Sequence, residues 1–402
     1  MMERRGAMPG KGDDARSWGI ENGLIARLFL AAMVVAGLAV VAHVLYEFRF
    51  RYKEMAFGLY YPWWKEFRSG VDPWHVKPPC LYPPPFVILF APLSALSERT
   101  AYWIWHSMQV GAFVGAIVLV IREAGKLTIA RLALVVGIVV LLMPYFFTST
   151  MYESEPTALL LLLLVAAWRL ARHEHPVWAG LMLAGATVLK VYPVVAGGYF
   201  LFRRRYAVVF TGAFWTIAIV LASGPQRWFN SASHGAGPYF NSLAWASDGR
   251  AISIPLNAYA ALVRLQGGFS VTLLLGVSLV LGLILLASAV FTTWNAAEVV
   301  EIDGMTFGIW MPVMLLLCPL TWNHEITLIL LPYLFAAIYF VRYRPTLSWI
   351  AIIALALAIG GHVAAYYSTR VRNLHADFGA VIAGYVAISM LIHDWSVQAA
   401  TE

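Results

Sequence analysis

Charge is scarce in this sequence. Asp, Glu, Lys and Arg make up only 12% of its 402 residues, while 61% are hydrophobic. A soluble domain carries about 25% charged residues. The composition therefore excludes a soluble multidomain protein. It indicates an all-α, polytopic helical bundle that forms a single integral membrane domain over residues 1–402.

Cysteine and cofactor motifs are also scarce or missing. Cys80 and Cys318 are the two cysteines, they form no metal-spaced set, and nothing in the sequence argues for a disulfide between them. No Walker A loop, dinucleotide-binding glycine motif or HExxH motif occurs, which argues against a nucleotide-driven pump. Basic residues do not alternate with aromatics, so nucleic acid is not an expected partner. We expect no metal and no cofactor.

Long apolar runs are plentiful and predict about twelve transmembrane helices. The first apolar run follows a segment of mixed charge, and it lacks a small-residue cleavage site. This run is therefore typical of a membrane anchor and not of a removed signal peptide. The runs on either side of Lys190 are short for a bilayer of about 30 Å, which predicts two half-helices that meet at this lysine. The predicted spans are 25–46, 101–121, 132–148, 157–171, 176–189, 191–202, 206–222, 270–293, 305–319, 326–341, 347–366 and 374–393.

Positive charges in the short loops predict the orientation in a cell (inner) membrane. Arginines and lysines of the N-terminus and of loops 122–131, 169–172, 203–205 and 342–344 fall on one side, which is predicted to be cytoplasmic. The acidic segment "WNAAEVVEIDG" breaks this pattern. Successive spans alternate in direction, so the remaining connections fall on the opposite, extracytoplasmic face. They include four polar segments: residues 47–100, the turn "MYESEPT", residues 223–269, and "CPLTWNHE".

The first large outer loop, residues 47–100, carries two helix-like segments. "YYPWWKEFRSGVDPW" is aromatic, charged and ended by Gly and Pro, which predicts a helix lying in the membrane interface. "YPPPFVILFAPLSAL" is apolar, short and broken by proline, which predicts a helix that dips into the membrane without crossing it. The second large outer loop covers residues 223–269.

Three polar groups interrupt the apolar runs. Burying an unpaired carboxylate is costly, so Glu153 and Glu155 must either reach water or have a function. They lie in a solvated turn, or they act as a general base or as a hydrogen-bond acceptor for sugar hydroxyls. Lys190 either extends to the interface or pairs with an anion such as a lipid phosphate. His324, in "TWNHEITLILLPYLF", is either a local hydrogen-bonding residue or part of a site with its polar neighbours.

Several motifs together resemble glycosyltransferase family 87, the polyprenyl-phosphate-mannose-dependent mannosyltransferases of the GT-C fold. The resemblance runs over residues 47–340. Its motifs are "YYPWWKEFRSGVDPW", "LYPPPFVILFAPLSAL", "YWIWHSMQV", "SEPTALLLLLL", "AGLMLAGATVLKVYPVV", "SIPLNAYAALVRL" and "CPLTWNHEITLILLPYL". It implies a GT-C helical bundle that transfers a sugar, usually mannose, from a polyprenyl-phosphate carrier to a lipid or glycan hydroxyl on the outer face. The transfer inverts the configuration without a metal.

Two positions depart from the family pattern. Ala56 stands where the family usually has an aspartate as catalytic base, and Ser154-Glu155 stands where it usually has Gly-Gln. One hypothesis is that the base has moved to Glu155 or to Glu54. The alternatives are a catalytically repurposed family member and a membrane transporter, which would show an internal repeat that is not found here.

The resemblance and the residue types together suggest roles for the polar residues. Asp72, in the G-x-D-P turn, is expected mainly to cap local structure. The expected catalytic residues are Glu155, Glu54 and His324, and those contacting the donor phosphate are Lys190, Tyr192 and His324. The expected substrate contacts are Glu153, Asp72, Trp63, Trp64, Tyr82, Trp322 and Asn323.

Overall fold

A computed structural model describes residues 24–48, 56–236, 253–255, 271–318, 321, 323–343, 353–361 and 376–401. These residues form helices and turns, with no strand among them. The main α-helices are α1 Leu24–Phe48, α2 Phe57–Arg68, α3 Pro84–Phe90, α4 Glu98–Glu123, α5 Ile129–Tyr152, α6 Thr157–Arg172, α7 Pro176–Leu189, α8 Gly197–Phe202, α9 Tyr206–Ser223, α10 Pro225–Asn230, α11 Val271–Asn295, α12 Val300–Gly308, α13 Trp310–Leu317, α14 Leu330–Tyr343 and α15 Ala376–Thr401.

Seven helical stretches in the described part are long and apolar enough to cross a membrane: Ala26–His43, Glu98–Glu123, Tyr206–Ser223, Gly276–Asn295, Val300–Leu317, Glu325–Tyr343 and Phe378–Trp395. Further apolar helices, among them Ile129–Leu142 and Pro176–Leu189, are shorter. The all-helical membrane class predicted from composition is therefore confirmed. The count of twelve spans and the GT-C arrangement stay predictions.

The bundle has a buried centre and apolar outer helices. Helix α6 lies between α4 and α7, and α12 packs on α14. The side chains of α12 to α14 are almost entirely buried. By contrast α1, α9 and α11 expose apolar side chains such as Phe210 and Ile284. Exposed apolar faces of this kind suit contact with lipid.

Two glycines let α12 and α14 approach closely. Gly304 and Gly308 are four residues apart, so they share one face of α12. A Cβ atom added at Gly304 would lie 2.4 Å from the Phe335 ring. One added at Gly308 would lie 2.8 Å from the Cα atom of Pro332. Small residues at helix contacts are typical of membrane bundles, where close packing replaces hydrophobic association.

The two segments predicted in the first outer loop are both helical. The first is α2, whose Tyr60 and Trp64 pack in an aromatic cluster with Phe86 and Trp105. The second is the seven-residue α3, followed by a 3₁₀ turn at Ala91–Ala95. Both segments are thus helical, and the second is short as predicted. Their positions in and at the membrane stay predictions.

The predicted interruption at Lys190 is also present. Helix α7 ends at Leu189, Lys190 has extended backbone angles, and a 3₁₀ turn at Tyr192–Ala196 leads into α8. Lys190 therefore lies where two short helical segments meet. It lies at the same end of the bundle as the turn before α6, because α6 and α7 are consecutive and neighbouring.

The opposite end of α6 carries a second group of charges, which we call the arginine cluster. It contains Arg169, Arg172, Arg203 and Arg342 with the acids Glu123, Glu301 and Asp303. Asp303 is fully buried and accepts hydrogen bonds from Trp168 Nε1 at 3.1 Å and the Tyr199 hydroxyl at 2.6 Å. The acidic segment that broke the charge pattern thus supplies counter-ions to arginines at the ends of three other helices, α6, α8 and α14.

Candidate active site

The turn between α5 and α6 is held in an unusual backbone conformation. Ser154 has φ +56°, in the left-handed region that favours glycine. Its carbonyl accepts a hydrogen bond from Trp105 Nε1 at 2.9 Å, and its hydroxyl lies 3.3 Å from His106 Nε2. Glycine adopts such an angle without strain, and here contacts with α4 hold a serine in it.

Glu155 is directed into the bundle by this turn. Its backbone N–H donates to the Thr150 carbonyl at 3.1 Å, and the residue is 7% exposed. Its carboxylate oxygen Oε2 accepts hydrogen bonds from the Tyr82 hydroxyl and from Lys190 Nζ, the latter at 2.8 Å. The solvated-turn reading of Glu155 is therefore wrong, because the carboxylate is buried and ion-paired.

Lys190 is shared between two carboxylates. Its ammonium also donates to Glu325 Oε1, and it lies 5.5 Å and 5.7 Å from the ring centres of Tyr82 and Tyr192. Aromatic faces at this distance attract a cation. We call Glu155, Lys190 and Glu325 the acid–lysine cluster. With all three groups ionised, its net charge is −1.

Tyr82 and Tyr60 connect this cluster to the first outer loop. Their hydroxyl oxygens are 2.7 Å apart. Burial first, and then the nearby Glu155 carboxylate, raises the pKa of Tyr82 and of Tyr60 well above its ordinary value. Both phenols therefore stay protonated, and Tyr82 acts as a hydrogen-bond donor to Glu155.

Glu325 is the site residue that sequence reasoning left without a role. It lies in the 3₁₀ segment Asn323–Ile329, its side chain is 1% exposed, and the following residues Ile326 and Leu328 are buried. The hydroxyls of Thr327 and Thr150 are hydrogen-bonded, which joins this segment to the end of α5. The signal was present, since Glu325 directly follows His324 in "TWNHE".

Asp72 lies outside the cluster and stabilises the outer loops. Its Oδ1 accepts from the Trp74 N–H at 3.0 Å, and its Oδ2 accepts from Asn230 Nδ2 at 2.6 Å and lies 2.9 Å from His75 Nδ1. Partial burial would raise the pKa of Asp72, but these hydrogen bonds outweigh it and lower the pKa below its ordinary value. These hydrogen bonds fit the expected capping role of Asp72, and its expected substrate contact stays a prediction.

The other predicted substrate contacts are placed in different ways. Glu153 is half-buried in the same turn as Glu155. Trp63 and Trp64 are 3% and 0% exposed, and Trp63 Nε1 donates to the Pro78 carbonyl at 2.9 Å, so their packing does not favour stacking on a sugar. Glu54, Trp322 and the side chains of Asn323 and His324 lie outside the described residues.

No group of three or more His, Cys, Asp or Glu side chains suited to a metal ion occurs within the described ranges. Neither cysteine forms a disulfide: Cys80 is buried and Cys318 is partly buried. Burial raises the pKa of the Cys80 thiol to about 12, so this thiol stays protonated at neutral pH.

The fold and this site define an integral membrane protein with a buried acid–lysine cluster at one end of its helical bundle. The sequence pattern of glycosyltransferase family 87 matches residues 81–319, more than half of the chain. The chain belongs to this family and is a membrane glycosyltransferase. The matched range includes Tyr82, Glu155 and Lys190 and ends before Glu325. No curated protein and no solved structure matches the chain.

Proposed function

We propose that this protein transfers a sugar, mannose in the first instance, from a polyprenyl-phosphate carrier to a lipid or glycan hydroxyl. The observation that carries the proposal is the ion pair between Lys190 Nζ and Glu155 Oε2, which are 2.8 Å apart. The chain that holds this pair belongs to a glycosyltransferase family. A cation beside a carboxylate supplies what this transfer requires: a partner for a phosphate and a base for a hydroxyl.

The proposed reaction is a single displacement at the anomeric carbon. The acceptor oxygen forms a bond to that carbon while the bond to the phosphate oxygen breaks. The electron pair leaves with the phosphate, whose charge the Lys190 ammonium balances. The acceptor proton passes to the Glu155 carboxylate, and the configuration inverts. Tyr82 orients Glu155 through its hydrogen bond, and no metal takes part.

The proposed topology places this chemistry on the extracytoplasmic face of the cell (inner) membrane. The support is that the arginine cluster and the acid–lysine cluster lie at opposite ends of α6. Arginine-rich loops favour the cytoplasmic side. Under this orientation the donor and acceptor are membrane lipids or glycans that reach the outer leaflet.

The test is transfer of labelled mannose from polyprenyl-phosphate-mannose to a membrane lipid extract by the purified protein, with and without EDTA. We expect product in both conditions. Glu155→Gln should lower turnover by about 10²–10⁴-fold, the usual contribution of a general base, with donor binding retained. Glu66→Gln, on helix α2, is the matched control and should leave turnover unchanged. Full activity of Glu155→Gln would refute the assignment of Glu155 as the base. If the unmodified protein binds the donor but transfers no sugar, it is a catalytically repurposed family member.

A further inference from the structure

Arg204 and Arg205, at the arginine-cluster end of the bundle, form no ion pair with a carboxylate of the residues that the structure describes. The preceding Arg203, by contrast, is paired with the buried Asp303. One guanidinium nitrogen of Arg205, Nη1, is buried and has no hydrogen-bond partner within the same described part. The arginine cluster offers no spare acid, because its four arginines already outnumber its three acids. This end of the protein therefore carries positive charge that its described side chains do not balance.

The two arginines lie at the joint between α8 and α9, beside the end of α11. The short helix α8 packs on both α9 and α11. The Arg204 guanidinium lies 5.0 Å from the centre of the Trp294 ring, which is near the end of α11. Arg204 is exposed and Arg205 is partly exposed. An aromatic ring thus holds an exposed cation at the surface of the bundle, where an anion from outside can reach it.

Exposed aromatic side chains border this joint on both outer helices. On α11, Phe291 and Trp294 are three residues apart and both exposed. On α9, Tyr206 and Phe210 are four residues apart and both exposed. Each pair therefore shares one face of its helix. Trp and Tyr at the end of a span are typical of the headgroup level, with Phe towards the hydrocarbon. A ligand that fits this surface has an anionic head and an apolar body.

We propose that Arg204 and Arg205 bind the phosphate headgroup of an anionic phospholipid, whose acyl chains cover the exposed apolar faces of α9 and α11. Charge complementarity selects this occupant, because guanidinium groups bind phosphate through charge-assisted hydrogen bonds. A zwitterionic headgroup binds less well, since its own cation offsets the phosphate charge. The exposed acid Glu298 lies 3.9 Å from Arg203 Nη2 and forms no ion pair with the two following arginines. Under the proposed orientation, the lipid belongs to the cytoplasmic leaflet.

Native mass spectrometry of the purified full-length protein in detergent, with added phosphatidylglycerol or phosphatidylcholine, measures this binding. We expect the unmodified protein to bind phosphatidylglycerol more tightly than phosphatidylcholine. Arg204→Gln and Arg205→Gln should each weaken phosphatidylglycerol binding about fivefold, and the double variant about 25-fold, the usual contribution of basic residues near anionic lipid. Lys126→Gln is the matched control, because it removes an exposed positive charge from the loop between α4 and α5 at the same end of the bundle. It should leave binding unchanged.

Equal binding of the two lipids, or an equal loss in Lys126→Gln, would overturn the proposal, because it would show only a general attraction between charges. Competition by glycerol phosphate at the same concentrations would show that the apolar faces contribute nothing, and would overturn the choice of a phospholipid. Arg204→Lys keeps the charge and should retain most of the binding; a loss as large as in Arg204→Gln would contradict the role of charge. A thermal transition measured without added lipid checks that each variant is folded. Since none of these measurements involves sugar transfer, the inference stands or falls apart from the proposed function.

Discussion

At the scale of single residues, the position of Glu155 depends on the backbone of Ser154. A left-handed conformation costs a non-glycine residue about 1–2 kcal/mol. The hydrogen bond from Trp105 to the Ser154 carbonyl helps to offset that cost. The strained turn aims the following carboxylate at Lys190. The glutamate at position 155 therefore places an acid beside a cation.

Ala56 offers a test of whether the base has moved. It lies four residues before Tyr60, so the two residues share one face of helix α2. Tyr60 contacts Tyr82, which binds Glu155. A carboxylate restored at position 56 should approach the same reaction centre.

We expect Ala56→Asp, introduced into Glu155→Gln, to recover at least about tenfold of the lost mannose transfer, since a positioned base contributes about 10²–10⁴-fold. Leu59→Asp in the same background is the control, because Leu59 is 40% exposed and on another face of α2. Equal recovery by both double variants, or by neither, would contradict the idea that the two positions exchange one role.

Part of this site could be read from the sequence. Lys190 and Glu155 stand out because each is a charge in an apolar context, and the structure brings them together. Glu325 and Tyr60 could not be assigned in this way. Their partners lie 135 and 22 residues away in the chain, and local patterns do not report such pairings.

At the scale of helices, proline and close packing decide where elements end. The predicted span 305–319 is two helices, α12 and α13, that meet at Ile309. Pro312 cannot donate a hydrogen bond, and its ring crowds the carbonyl of Gly308 four residues earlier. The span was predicted to start at residue 305, whereas helix α12 starts at Val300. The prediction was late because charged residues such as Glu301 and Asp303 are typical of a polar loop. Their arginine partners come from distant segments, so the sequence alone could not place these acids inside the bundle.

Gly308 tests the close approach of α12 and α14. An added methyl group would meet the backbone of Pro332, which cannot move aside as a flexible side chain does. We expect Gly308→Ala to destabilise the purified protein by about 1–3 kcal/mol, the usual cost of overpacking, seen as a lower thermal transition in detergent.

Gly276 on α11 is the matched control for this substitution. An added Cβ at that position has no atom within 4 Å. Gly276→Ala should leave the thermal transition unchanged or raise it slightly, because alanine favours the helix by up to about 1 kcal/mol over glycine. A loss of stability equal to that of Gly308→Ala would show that the α12–α14 contact is not the cause.

At the scale of the whole molecule, the arginine cluster connects parts of the chain that are far apart in sequence. The Asp303 carboxylate accepts two hydrogen bonds from arginines. Arg172 Nη1 donates to its Oδ2 at 2.7 Å, and Arg203 Nη2 donates to its Oδ1 at 3.2 Å. Glu301 pairs with Arg342 at the end of α14. The cluster therefore ties α6, α8, α12 and α14 at the end opposite the candidate site.

We expect Asp303→Asn to destabilise the fold by about 3–5 kcal/mol, since it leaves two arginines facing a neutral amide. Glu298→Gln is the control, because that carboxylate is 90% exposed and 3.9 Å from Arg203. It should have little effect, as is usual for exposed ion pairs. Thermal unfolding of both purified variants compares them directly, and equal transition temperatures would refute a central role for Asp303.

The sixteen residues of α6 separate the two charged clusters by about 24 Å. The hydrocarbon core of a bilayer is about 30 Å thick, and any tilt of the helix shortens its vertical reach further. The backbone of α6 is therefore shorter than the hydrocarbon core of an undeformed membrane. Long arginine and lysine side chains cover part of the remaining distance to the headgroups, and a locally thinner bilayer or a water-filled recess would cover the rest. A phosphate bound at Lys190, as proposed, would lie at such a thinned or recessed place in the membrane.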